Sequence, residues 1–402
     1  PRGYDLFVWY LPYAVICAIT ALTAERPDWT LYELVRNIKV ALVLLYFRYN
    51  VREREWWLVV LAIGLAATAQ AGLGALEVAT GRTGVLWIIG LGDNMAAVPD
   101  MFKDESFYGW VRATATMAHP PNLASYLLIS IPLYASLFVA GRTLLIRLGA
   151  GMLAAIMIVG MACTLSRFPI VLMMLELLLL LLVLVLLREA PVKKAIGILI
   201  LGCFVISVTL IPLGNFIADR FERDFDRSVE FRLKEYNVSF AMFKDYPLLG
   251  VGLNNYTAHM MDYGSEQVWL VDSEKQDIAT KELKVRYQSG PLNSYLLAAA
   301  ETGTLGISAW LAYLAIVLIS GFNAVHRTTG AARPIVVGLL LASGALCAQQ
   351  LIDYSLWVDP LMFTFAAVAQ MMALAPDLFA RHREADTAGS NLAGNYPQVA
   401  TA

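Results

Sequence analysis

R-S-V-E-F-R-L-K-E-Y-N-V-S-F-A-M-F-K-D-Y-P-L-L-G-V-G-L-N-N-Y, running from Arg227 to Tyr256, is the core of the most charged interruption in a chain otherwise made of apolar runs. The interruption extends roughly from Asn215 to Pro291, and hydrophobic segments crowd both sides of it. Inside it, the stretch from Phe231 to Phe243 is amphipathic, with Phe231, Val238 and Met242 placed to pack against a bundle. Pro247 then ends the helix and opens a tight turn, where Gly250 and Gly252 permit positive φ or close backbone approach. The G-V-G triplet lacks the strand, the helix and the further glycine of a dinucleotide loop, so it implies no nucleotide site.

The flanking apolar runs set the fold class. Over 402 residues the chain is 58% hydrophobic and 15% charged, far from the soluble balance of about 45–50% apolar and about 25% charged. A helix crosses about 30 Å of hydrocarbon with about 20 apolar residues, because only internally closed backbone hydrogen bonding is tolerated there. By that ruler the sequence predicts an all-α, polytopic membrane bundle with ten spans, near 6–24, 31–47, 56–76, 122–140, 146–165, 168–187, 195–214, 303–321, 335–353 and 357–375. The second is the weakest, interrupted by Arg36, Asn37 and Lys39, whose basic side chains are expected to snorkel toward an interface. One membrane domain is expected over 1–402, with 215–302 inserted as a large helical cap and 384–402 as a polar, flexible cytoplasmic tail. The chain starts at Pro1 without an initiator methionine, so some N-terminal residues are expected to be absent; Leu6 onward reads as a retained span with no cleavage motif.

Orientation follows from Lys and Arg in the short loops. With a cytoplasmic N-terminus, the inside segments hold Arg48, Arg52, Arg54, Arg142, Arg147, Arg188, Lys193, Lys194, Arg327 and Arg333, whereas the short outside loops hold Arg26 and Arg167. Both ends are then cytoplasmic, and the longer segments 77–121 and 215–302 face outward. The net charge of −2 and the scattering of basic residues between apolar runs exclude a nucleic-acid-binding face. The four cysteines all fall within or at the end of apolar spans, with no spacing for a bridge or a metal.

The outward segments hold the candidates for chemistry. Arg167, in T-L-S-R-F-P, runs against the inside bias, and a guanidinium there is suited to a phosphate at the membrane face. Arg220, Arg223 and Arg227 alternate with acids as a solvated helix face would, whereas Arg232 opens the amphipathic stretch and is a candidate for function. His119, in A-H-P-P-N, lies at the mouth of a membrane helix where a general base belongs; His259 is a weaker candidate, and neither has metal-motif spacing. At the return to the membrane, L-N-S-Y-L-L-A-A-A-E-T-G-T-L-G offers Asn293 for a sugar or pyrophosphate oxygen and Glu301 to pair with an arginine, with a helix break at Gly303 and Gly306. Glu176, at membrane depth, reads as a protonated or paired group or as a functional one.

Taken together, H-P-P-N-L-A at 119–124, T-L-S-R at 164–167, the stretch 231–256 and L-N-S-Y-L-L-A-A-A-E-T-G-T-L-G at 292–306 resemble the O-antigen ligase and Wzy-type polymerase superfamily. The resemblance covers about residues 115 to 320. It implies a GT-C-like glycosyltransferase of the bacterial inner membrane, working at the periplasmic face on undecaprenyl-pyrophosphate-linked glycan without cofactor or metal. It places Arg167 and Arg232 on the pyrophosphate; beside them, His119 and Glu301 are the further catalytic candidates, and Asn122, Arg227, Tyr256, Asn293 and Tyr295 are the candidates for substrate binding. Where the ligases carry a histidine before the Asn of the N-S-Y segment, this chain has Leu292. That departure ranks an inverting polymerase of lipid-linked repeats first, a ligase passing the glycan to lipid A-core or protein second, and a lipid-glycan flippase third. Expected partners are the donor, a glycan-lipid acceptor, the bilayer and a chain-length regulator or other polysaccharide assembly protein.

Overall fold

A computed structural model describes residues 5–81, 112–117, 119–193, 200, 225–265 and 291–379. Among them are eleven α-helices: α1 Leu6–Ile19, α2 Pro27–Asn50, α3 Glu53–Thr80, α4 Pro120–Ala140, α5 Leu144–Cys163, α6 Arg167–Leu186, α7 Phe225–Asp245, α8 Tyr256–His259, α9 Ser294–Arg327, α10 Ala332–Gln349 and α11 Asp359–Phe379. Seven of them, α3 to α6 and α9 to α11, are long and apolar enough to cross a membrane. The chain is an all-α, multi-pass membrane protein.

The expectation of ten spans is met in part. The first span is a shorter apolar helix, Leu6–Leu22, and the seventh, 195–214, lies outside the described residues. The second forms α2, 24 residues long, but its polar positions do not snorkel as expected. Arg36 and Asn37 are buried, because Arg36 pairs with Glu33 and donates to the Trp357 carbonyl, while Asn37 accepts a 2.6 Å hydrogen bond from the Tyr10 hydroxyl. Lys39 alone of the three is exposed. The charged pair is closed within α2 and satisfied by the α10–α11 loop, not by headgroups.

The bundle is built around α4, which packs on α3, α5, α6 and α10. Small residues let these helices approach: a Cβ on Gly160 would lie 2.5 Å from that of Ala71, and one on Gly338 would lie 2.7 Å from the Pro132 carbonyl oxygen. On α6 the i, i+4 stripe Leu178, Leu182 and Leu186 is exposed, as a lipid-facing surface requires, and Glu176 on its other side is buried. At one end of the bundle Arg333 meets Glu189 at 3.4 Å and Trp56 donates to the Met371 carbonyl. The opposite end gathers the α1–α2 turn, the α5–α6 turn, the 112–117 segment and the N-termini of α4 and α9. There Glu77 accepts from the Thr114 and Ala115 N–H groups at 2.7 and 2.8 Å, and the Ala113 N–H donates to the Cys163 carbonyl at 3.0 Å. The chain leaves α6 at the first end and returns to description in α7 at the second.

Candidate functional site

The polar end is held together by a broken helix. Within α9, Gly303 has φ 62° and ψ −165°, which interrupts the i→i−4 ladder and leaves backbone groups that must find partners. The segment after α7 supplies them. The Val251 and Gly252 N–H groups donate to the Ala300 and Glu301 carbonyls at 2.9 and 3.0 Å, and the Thr304 and Leu305 N–H groups donate to the Pro247 and Leu248 carbonyls at 2.8 and 3.3 Å. Gly250 and Gly252 have the positive φ values expected of them, 68° and 105°. The break lies at Gly303 and not at Gly306, which stays helical with Thr302 packed against it.

The same loop is clamped from its other side. The Asn255 side-chain oxygen accepts from the Arg26 N–H at 2.7 Å, its amide donates to Thr30 Oγ1 at 3.0 Å, and Thr30 Oγ1 donates to the Leu253 carbonyl at 2.8 Å. The expected pairing of Glu301 with an arginine is not formed among the described residues. Its Oε1 accepts from the Tyr256 N–H at 3.2 Å, and it lines a cavity of about 60 Å³ with Glu33, Arg36, Thr257 and Trp357. That volume holds a few waters and no sugar.

Helix α7 lies across this end with Glu235, Val238, Ser239 and Met242 buried on its inner face; Phe231 is half-buried. The Arg232 guanidinium stands one turn before Tyr236, and its Nε is buried without a hydrogen-bond partner. The Tyr236 hydroxyl donates to the Leu351 carbonyl at 3.0 Å and to the Leu292 carbonyl at 3.4 Å. Burial holds this hydroxyl above its ordinary value, opposed by Arg232 and Asn293 and reinforced by Asp353.

Next to it, Asn293 caps α9. Its side-chain oxygen accepts from the Tyr295 and Leu296 N–H groups at 2.9 and 3.1 Å, and its amide donates to the Leu351 carbonyl at 3.0 Å. The Ser294 N–H donates to the Asp353 carbonyl at 3.1 Å. These bonds draw Leu351, Ile352 and Asp353 against the start of α9 and the inner side of α7. Asp353 is 9% exposed. Burial raises its carboxyl above the ordinary carboxylate value, opposed by the Tyr354 N–H, by His119 and by Arg232.

Arg232, His119 and Asn293 are thus brought into one electrostatic neighbourhood, and Asp353 and Tyr236, which the sequence reading did not single out, join them. Arg167 opens α6 at the same end, after a turn in which Leu165 has φ 52°. Arg112 spans that turn, donating to the Thr164 carbonyl at 3.1 Å and to Ser166 Oγ at 3.3 Å. Asn122 is buried in the first turn of α4. The Tyr295 hydroxyl is directed to the Cys347 carbonyl at 2.8 Å. Tyr256 is buried near Ser239 and Glu235, and burial raises its hydroxyl. His259 faces Glu25 at 3.5 Å, away from this group. Arg220, Arg223 and the Arg227 side chain lie outside the described residues, as do 82–111, 266–290 and the tail from 380.

No curated protein matches the chain. Residues 152–311 match the family model described as O-Antigen ligase. The matched segment runs from α5 through α7 into the first part of α9, and so includes Arg167, Arg232, Asn293 and Glu301 but neither His119 nor Asp353. Over that segment, less than half of the chain, the sequence is similar to the O-antigen ligase family, a likeness that supports a membrane enzyme acting in glycan transfer or polymerisation.

Proposed function

We propose that the polar end of the bundle takes an undecaprenyl-pyrophosphate-linked glycan and passes it to an acceptor hydroxyl at the periplasmic face of the bacterial inner membrane. The observation that carries this reading is Arg232, whose buried Nε has no hydrogen-bond partner and whose field acts with that of His119 on Asp353. A guanidinium in that setting is suited to a pyrophosphate, which it meets through a fork of parallel hydrogen bonds. In the reaction the acceptor oxygen forms a bond to the anomeric carbon with inversion, while the bond from that carbon to the pyrophosphate oxygen breaks. The electron pair leaves with the undecaprenyl pyrophosphate, and Arg232 with Arg167 stabilises the developing charge, most effectively where water is sparse.

The ligase reading now ranks first, because the matched family is described by ligation. The polymerase reading rests on Leu292 in place of the histidine that the family resemblance leads one to expect. Purified protein given a synthetic undecaprenyl-pyrophosphate oligosaccharide separates the two. Product that appears only with lipid A-core or a protein acceptor supports the ligase, whereas a ladder at multiples of the repeat from donor alone replaces it with the polymerase. In whichever assay is productive, Arg232→Lys is expected to weaken donor binding about tenfold, the equivalent of one charge-assisted hydrogen bond. Unchanged binding and turnover would remove Arg232 from the pyrophosphate site.

A further inference from the structure

Transfer to a hydroxyl leaves a proton to be placed. Among the described residues at the polar end, most acids are already committed. The Glu301 carboxyl accepts from the Tyr256 N–H and lines the small cavity with Glu33 and Arg36. Glu235 accepts from Ser265 Oγ at 2.9 and 3.0 Å, and Glu77 holds the Thr114 and Ala115 N–H groups. Asp353 differs. Its Oδ1 accepts from the Tyr354 N–H at 2.8 Å, while its Oδ2 has a 3.5 Å contact with Gln349 Nε2. Both Arg232 and His119 act on it through their fields.

Its placement is also closely specified. The carbonyl of Asp353 accepts from the Ser294 N–H, and two residues earlier the Leu351 carbonyl accepts from both Asn293 and Tyr236. Tyr236 reaches the Leu292 carbonyl as well, so the backbone carrying Asp353 lies directly beside Leu292. A backbone segment held by three such bonds, within the field of Arg232, positions its carboxyl for chemistry and not only for charge balance.

We propose that Asp353 is the general base of this enzyme, taking the proton of the acceptor hydroxyl on Oδ2 as that oxygen bonds to the anomeric carbon. The inference rests on the glycan-transfer reading. The acceptor O–H bond breaks, its proton goes to the carboxylate, and the electron pair of the broken anomeric C–O bond departs on the pyrophosphate. No further reactant is needed. Burial keeps the carboxyl of Asp353 above the ordinary range, which makes it a better base than an exposed aspartate.

The test uses full-length protein in nanodiscs with the lipid-linked oligosaccharide donor. Asp353→Asn is expected to bind donor as the natural protein does and to transfer at least about 100-fold more slowly, the scale of a lost general base. Asp353→Ala supplied with azide is expected to consume donor and release glycosyl azide, because azide forms its bond to the anomeric carbon without losing a proton. Near-normal transfer by Asp353→Asn would overturn the inference. So would an Asp353→Ala protein that binds donor yet does not consume it with azide, since the aspartate would then act on structure and not on the proton. If the natural protein itself consumed no donor with any acceptor or with azide, the glycan-transfer reading would fall and this inference with it; a defect confined to the Asp353 variants bears on Asp353 alone.

Discussion

An alanine at Gly303 would put its Cβ 2.3 Å from the Leu248 carbonyl, on a backbone whose φ of 62° and ψ of −165° is essentially closed to residues with a side chain. The four hydrogen bonds between the α9 break and residues 247–252 depend on that approach, so Gly303→Ala is expected to destabilise the protein by about 2 kcal/mol or more. Thermal unfolding of the purified variant in detergent measures this, and an unchanged midpoint would mean that the loop is not seated in the break. At this scale the sequence was partly legible. Glycines before and inside a re-entering apolar run point to a break, because no other residue type tolerates the backbone it needs. What did not follow was the use of each polar side chain. Glu301 looked like an arginine partner and serves a backbone N–H, since spacing along one chain says nothing about which loop will be folded back against it.

Among the elements, α9 shows how a cap and a site share residues. Asn293 satisfies two N–H groups of the first turn and ties α9 to Leu351. Asn293→Ala is therefore expected to cost about 1 kcal/mol for the cap and up to about 1 kcal/mol more for the lost bond to Leu351, with a fall in transfer because Asp353 loses one of its anchors. Comparing stability with donor affinity checks the assignment: a weakened donor affinity at unaltered stability would instead make Asn293 a direct substrate contact. The apolar spans were readable as elements because hydropathy over about 20 residues is a strong signal. Helix α2 was read less well. Its Arg36 and Asn37 looked like interfacial residues, and they are buried because Glu33, Tyr10 and the Trp357 carbonyl meet them from α2 itself, α1 and the α10–α11 loop.

For the whole molecule, the decisive contacts join distant parts of the chain. Tyr236 and Leu351 are 115 residues apart and Asn293 and Leu351 are 58 apart, so no local pattern announces that the loop after α10 belongs with the first half of α7. That is why Asp353 escaped a sequence reading that found Arg232, His119 and Asn293 from their motifs. The bundle gathers these pieces at the end where the α5–α6 turn carries Arg167, and the break in α9 holds the segment after α7 at that end. Such one-ended assembly suits a reaction on a lipid whose tail stays in the membrane while its pyrophosphate and glycan stand at the surface. The most direct measurement is the stoichiometry of products by mass spectrometry, using purified protein, lipid-linked donor and acceptor. Glycan transfer predicts one undecaprenyl pyrophosphate released for each glycosidic bond formed, with both phosphates still on the lipid. Donor recovered intact while moved across the bilayer, or phosphate carried over with the sugar, would contradict it.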